Sequence, residues 1–406
     1  MEERYREKLV PPAEIRGRIK EIQIKMEVED IDAALIFYRP NYFYFSGTSQ
    51  YSILYIPVET DPILFVKRDP DRAREESPIS SIIPFSSFNE IRALIQKNHG
   101  KVPSALGIEF DILPTRRYLS LSKTFPGVEF RDISRIIMNC RMKKTSFEIQ
   151  QLKKAVQIGK EVFQAGRDIL IPGLTEIEFG GLLELEAKKR EHEGIIRING
   201  LNHEGYSWHI LSGPNGSILS EFDSPVGGQG LSPAFPMGAG LRKIQPNEPV
   251  LVDFNICYNG YIADQTRIFC IGELPDKFQA AYDCCRRIMN QISSRLAPGV
   301  QCSEIFDLSK RLAQEEGYQK EFLGIEGKKA KFIGHGVGLE ANEIPVLAAR
   351  GGHALEPSTV IAVEPKIVFG GEGVVGLENM FLINNRGCEK LSDLDEGILY
   401  NQKTNP

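Results

Sequence analysis

Two aspartates mark the first place in this chain where residue type and spacing point to chemistry. The run Val250-Leu-Val-Asp253-Phe-Asn-Ile-Cys-Tyr-Asn259-Gly260-Tyr-Ile-Ala-Asp264-Gln-Thr-Arg267 sets Asn-Gly between apolar and aromatic stretches. That is the favoured composition of a two-residue β-hairpin turn. Pairing Tyr258 with Tyr261 and counting outward pairs Cys257 with Ile262, Ile256 with Ala263 and Asn255 with Asp264. Asp253 is two residues from Asn255, so strand alternation turns it to the face of Asp264. Aspartate is disfavoured within strands, and the neighbours Val250, Leu251, Val252 and Phe254 argue for burial. Buried carboxylates are paired or bind metal. Arg267 alone is a poor match for two inward-facing acids, whereas a divalent cation between them removes both objections.

A second constellation repeats the arrangement. Phe332-Ile-Gly-His335-Gly-Val-Gly-Leu-Glu340 places a histidine between glycines. Thr359-Val-Ile-Ala-Val-Glu364-Pro365-Lys-Ile-Val carries an acid inside a strand-forming run, and Phe369-Gly-Gly-Glu-Gly373 leads into Val374-Val-Gly-Leu-Glu378-Asn-Met-Phe-Leu-Ile. A hairpin centred on Gly371 sets Glu364 opposite Glu378. Four carboxylates and one imidazole make a hard, oxygen-rich donor set, suited to Mn²⁺, Co²⁺ or Fe²⁺ and poorly suited to a structural Cys/His zinc. Two such ions, about 3.5–4 Å apart, activate a water and polarise a carbonyl oxygen.

Taken together these motifs resemble a known family. Asp253, a second Asp eleven residues on within G-Y-x-x-D-x-T-R, the G-H-G-x-G-L-E segment of His335, the pair Glu364-Pro365, and Glu378 ahead of an apolar strand resemble the methionine aminopeptidase/prolidase/aminopeptidase P superfamily over about residues 145–395. Tyr42-Phe-Tyr-Phe-Ser46-Gly47 resembles the ribonuclease-H-like domain that precedes the catalytic one in prolidases and creatinases. The resemblance implies an α+β fold: an N-terminal α/β domain (1–144) and a "pita-bread" catalytic domain of two pseudo-symmetric halves (145–406). It also implies two divalent ions (Mn, Co, Fe or Zn, with Mn favoured) on Asp253, Asp264, His335, Glu364 and Glu378. Glu364 would double as proton shuttle, and the protein would be a homodimer. Creatinases lose these metal ligands; this chain keeps them.

The expected activity is that of an Xaa-Pro peptidase acting on short peptides. Two departures leave room for other readings. Family peptidases end S-G-x-N-x-x-x-x-H on histidine; here Ser212-Gly-Pro-Asn215-Gly-Ser-Ile-Leu ends on Ser220. Their H-E-x-P reads Asn342-Glu343-Ile-Pro345. Those histidines contact substrate and steady the oxyanion, and one oxyanion donor is worth about 2.7–4 kcal/mol. His203, His209 and Asn342 are the candidate substrate-binding replacements. A Gly/Pro-rich stretch, residues 222–236, looks inserted relative to the family and is positioned in sequence to line the pocket. The alternatives are an amide or C–N hydrolase or lyase acting on a small metabolite with the same metal site, and an inactive binding homologue.

The positioning elements are legible too. Apolar residues at Ile15, Ile19, Ile22 and Met26 predict a helix over 13–29. Short apolar runs at 33–38, 52–57, 62–66 and 105–110, interrupted by helices near 89–98 and 114–123, predict an α/β layer that carries no catalytic cluster. Thr145 with Glu148 three residues on has capping-box spacing and opens a helix that stops before Pro172-Gly173; another follows at 175–191. At 406 residues two domains are expected. A net charge of −5 speaks against nucleic-acid binding and against attraction to an anionic membrane. The charged start has no apolar run of a signal peptide, no stretch is apolar enough to span a membrane, and seven scattered cysteines suit a reducing cytoplasm.

Overall fold

The architecture comes from a computed structural model, which describes residues 2–200, 205, 208–220 and 224–401; the counts given are of these residues. The chain divides into two compact units, one running to Arg141 and the other beginning at Met142.

The first unit is built on a six-stranded sheet in the order Ser81–Pro84, Ile63–Val66, Ser52–Pro57, Ala33–Ile36, Ala105–Ile108, Glu129–Asp132. Its central strands are buried along their whole length. That explains why they read as continuous apolar runs rather than as an alternation. Helix Pro12–Val28 buries Ile15, Ile19, Ile22 and Met26, the predicted stripe. The strand expected over 33–38 stops at Ile36 because Arg39-Pro40 opens a helix, Arg39–Ser46, in which the proline needs no N–H donor.

Glu109 fastens the start of that helix. Its carboxylate accepts hydrogen bonds from the N–H groups of Phe37 (2.7 Å) and Tyr38 (3.0 Å) and from the Asn41 side chain (2.8 Å), and Asn41 in turn accepts one from Arg141 (2.7 Å).

In the second unit Thr145 and Glu148 form the capping box, each side chain accepting from the other's backbone N–H, and helix Ser146–Ile169 follows. It packs on two long strands through Phe163, which stacks on Phe269 and meets Phe254 edge-on. Those strands, Val250–Tyr258 and Tyr261–Cys270, lie in a four-stranded sheet with Trp208–Ser212 outside the first and Leu399–Tyr400 outside the second. A five-stranded sheet follows in the order Glu343–Ala348, Phe332–Gly336, Val360–Val363, Asn379–Asn384, Gly387–Lys390. Helices Asp276–Ser293 and Cys302–Glu315 lie between the two sets of strands in the chain and bury their apolar faces in a common core with Ile333, Ile361, Val363 and Phe381. No helix among the described residues is long and apolar enough to cross a membrane.

Burial pushes the Glu109 carboxyl up to about 7, against the opposing pull of Asn41, Phe37 and Tyr38. A carboxyl that holds its proton more tightly when folded stabilises below its unfolded value and loses that contribution as pH rises through about 7. Between pH 4.5 and 7 the loss is about 3 kcal/mol. Glu109→Gln keeps an acceptor but cannot ionise. Melting of wild type should therefore weaken relative to Glu109→Gln between pH 5 and pH 8, and parallel pH dependence of the two proteins would refute this.

Candidate metal centre

The first hairpin has the register counted from the sequence, from Tyr258 opposite Tyr261 to Asn255 opposite Asp264 and Asp253 opposite Thr266. Asn259 and Gly260 take φ of +49° and +80°, the two left-handed positions that a type I′ turn requires. On the outer side of the first strand, His209 is the register neighbour of Asp253. Asp253 thus lies between His209 and Thr266 across three strands.

The second hairpin is split between two sheets without losing register. Val360–Val363 pairs with Asn379–Asn384, ending at Val363 opposite Asn379; Lys366–Phe369 pairs with Gly373–Gly376, beginning at Lys366 opposite Gly376. Both registers continue to the same place and set Glu364 across from Glu378. The break falls at Glu364-Pro365, where proline can supply no ladder hydrogen bond. Glu378 is tied instead to the first hairpin: its N–H bonds the Thr266 carbonyl (3.1 Å), and the Thr266 hydroxyl donates to its Oε2 (2.8 Å).

All five predicted ligands converge, in two overlapping sets. Asp264, His335 and Glu378 offer atoms within 4.8 Å of one another, as do Asp253, Glu364 and Glu378. His335 Nε2 is 3.6 Å from Glu364 and 4.0 Å from Asp264. Arg267 neutralises none of these carboxylates. Fully buried, it donates to the carbonyls of Thr266, Glu378, Leu394 and Asp395 and to the Asn379 side chain, stitching the strands together behind the site.

The cation that does enter the cluster is Lys366. Its Nζ lies 2.6 Å from Glu364 Oε2, 2.9 Å from Asp253 Oδ2 and 3.9 Å from Glu378 Oε2, and its side chain is 0% exposed. Burial pulls the lysine toward neutrality, but Asp253, Glu364 and Glu378 hold its pKa well above the ordinary value. Burial likewise pushes Asp253 up, and Lys366 and His209 outweigh it, so that Asp253 falls below the usual aspartate range. Asp264 and Glu378 receive less help. Burial first, then repulsion from the other acids, drives both well above ordinary carboxyl values. Glu378 Oε1 is buried with no hydrogen-bond partner among the described residues.

Lys366 was legible in principle. It lies two residues beyond Glu364 in a strand-forming run, a spacing that puts both side chains on one face. Among the candidate substrate contacts, His209 is brought to the cluster. Burial lowers its pKa against the opposing pull of Asp253. The Asn342 carboxamide is engaged elsewhere: its oxygen accepts from the Asn199 N–H (2.7 Å) and its nitrogen donates to the Asn199 carbonyl (2.8 Å). His203 lies outside the described residues, as do residues 222 and 223 of the inserted stretch. The rest of that stretch packs on the Ser212–Asn215 turn, with Gln229 N–H bonded to Asn215 Oδ1 (2.8 Å) and Gly227 closed against Ser220. Buried Glu176 holds the same turn, accepting from the Ser212 N–H and hydroxyl, the Asn215 amide and the Gly240 N–H.

Comparison with known proteins decides what this arrangement is. The model of metallopeptidase family M24 matches residues 150–385, and that of the creatinase/prolidase N-terminal domain matches 18–143. The chain belongs to metallopeptidase family M24. It is 26% identical over 388 residues to an Xaa-Pro dipeptidase of Pyrococcus furiosus, covering 95% of this chain and all of that one. The crystal structure of the prolidase from Pyrococcus horikoshii superposes with a TM-score of 0.79 at 25% identity, over 94% of this chain and 99% of the other. An Xaa-Pro dipeptidase structure from Bacillus anthracis shows the same fold at 23% identity, with a TM-score of 0.80 over 95% and 99%. The second unit of this M24 chain therefore has the pita-bread fold, preceded by a creatinase-type N-terminal domain.

The family implies divalent metal ions. The Asp264, His335 and Glu378 set fits one: it combines carboxylate and imidazole donors, both of its acids are destabilised as anions, and it includes the Glu378 oxygen that lacks a partner among the described residues. The Asp253, Glu364 and Glu378 set already surrounds an ammonium. Replacing Asp264 or Glu378 by Ala should abolish metal binding while relieving repulsion, so the metal-free variant should melt no lower than metal-free wild type. Mn²⁺ at one hundred times its dissociation constant should add about 2.7 kcal/mol to wild type and nothing to either variant. An equal rise in all three proteins would exclude the site.

Proposed function

We propose that this M24 enzyme is an Xaa-Pro peptidase that hydrolyses the bond before proline in short peptides. The convergence of four carboxylates and His335 inside a prolidase fold carries the reading, and it agrees with the Xaa-Pro dipeptidases of Pyrococcus furiosus and Pyrococcus horikoshii among its relatives. Catalysis belongs to the domain beginning near residue 145, and manganese is the favoured ion for so oxygen-rich a donor set. A divalent ion bound there supplies Lewis-acid polarisation of the scissile carbonyl and makes water more acidic.

The chain's own side chains do the rest. Asp253, Asp264, His335, Glu364 and Glu378 form the metal-binding set. Glu364 Oε2 is held by Lys366, while Oε1 faces His335. That leaves one carboxylate oxygen fixed and the other directed into the centre, an arrangement suited to receiving a proton from attacking water and passing it to the leaving amine. His209, the register neighbour of Asp253, is the donor to the developing oxyanion in place of the family histidines replaced here by Ser220 and Asn342. The seven cysteines, all free thiols and mostly buried, support a cytoplasmic setting. Homodimerisation rests on the family resemblance and is checked by light scattering.

Mn²⁺- and Co²⁺-loaded protein should cleave Xaa-Pro dipeptides or tripeptides and spare the same peptides with alanine in place of proline. Equal turnover of both series would overturn the assignment. His209→Ala should lower kcat about 10²-fold with metal content unchanged. A fall in metal content alongside kcat would make His209 a ligand or a support instead.

A further inference from the structure

We propose that Lys366 occupies the place of one of the two cations, so that this centre holds a single divalent ion, on Asp264, His335 and Glu378. The inference rests on the reading of the cluster as a metal centre and departs from the expectation of two ions.

Two observations carry it. The first is position. The Lys366 ammonium makes hydrogen bonds to Glu364 (2.6 Å) and Asp253 (2.9 Å) and lies 3.9 Å from Glu378, so it contacts every member of one of the two sets. An ion bound to those same carboxylates at the usual distance of about 2.0–2.2 Å would stand within about 5 Å of the ammonium. At that separation, among largely buried side chains, like charges repel strongly.

The second is the path of the lysine stem. Lys366 lies opposite Gly376 in the paired strands. A Cβ at Gly376 would come within 2.6 Å of Lys366 Cγ and 2.9 Å of its Cα. Glycine at that position leaves the lane through which the stem reaches the acids. The lysine is built into the pocket rather than leaning over its rim.

The charge count accommodates this: four carboxylates against one ammonium and one divalent ion leave the buried site one short of neutral. The remaining set contains Glu378 Oε1, which has no hydrogen-bond partner among the described residues. Asp253 and Glu364 share the ammonium, and Asp264, His335 and Glu378 share the ion.

The test is the metal stoichiometry of the full-length protein, stripped with chelator, reloaded with Mn²⁺ and desalted. Elemental analysis should give one Mn²⁺ per chain in wild type, with the electron paramagnetic resonance of an isolated ion. Lys366→Gly should take up two, with the spectrum of an exchange-coupled pair. Asp253→Asn leaves the proposed ligand set intact and should keep its one ion; this variant also serves if Lys366→Gly does not fold. Two ions or a coupled spectrum in wild type would overturn the proposal while leaving the metal centre standing. So would loss of the ion in Asp253→Asn, or a stoichiometry of one in folded Lys366→Gly. Wild type that binds no ion would overturn both the proposal and the metal-centre reading.

Discussion

Four carboxylates are packed among apolar strands in two overlapping sets, the atoms offered within each set lying within 4.8 Å of one another, and their mutual repulsion governs the surrounding structure. At an effective dielectric of about 20, two like charges 4 Å apart repel by about 4 kcal/mol, and this cluster contains several such pairs. Positive charge must be brought to them, and the chain provides only part of it. Lys366 attends to Asp253 and Glu364 and leaves Asp264 and Glu378 strongly disfavoured as anions. The fold is held tightly enough to keep those two acids together without relief, and so it presents a site that gains most by taking up a cation.

That tightness has identifiable sources. The hairpin turn at Asn259-Gly260 fixes which face Asp253 and Asp264 share. The continuous register across the split hairpin brings Glu364 opposite Glu378, and Thr266 joins Glu378 to the other pair of strands by backbone and hydroxyl. Arg267 directs its donors to main-chain carbonyls and the Asn379 side chain behind the site, where they brace the backbone. Glu176 does the same for the turn at Ser212–Asn215, gathering four donors on one buried carboxylate.

The parts of this arrangement that obey local rules could be read from the sequence. The Asn-Gly turn, strand alternation and the spacing of Thr145 and Glu148 each have one physical solution, and the structure adopts it. The convergence of the two hairpins was legible only through the family resemblance, because no local rule relates Asp253 to Glu378. Lys366 was missed for a different reason. A lysine in a strand is normally taken to reach solvent, and what turns it inward is the missing side chain of Gly376, a partner recognisable only once the second hairpin's register is known. The end of the first strand at Ile36 was missed because the apolar run continues through Phe37 and Tyr38 into a helix whose start depends on Glu109, far away in sequence.

The Asn342 carboxamide meets the Asn199 backbone as one peptide unit meets another, giving and accepting one hydrogen bond each. A side chain here does the work of a strand edge, extending a connection that the main chain begins with the bond from the Ala341 N–H to the Arg197 carbonyl (2.8 Å). Such a fastening is written in a single codon. Asparagine and histidine codons differ at one base, and at the position where the resemblance places a catalytic histidine, one nucleotide separates a clasp between two loops from a proton donor in a pocket.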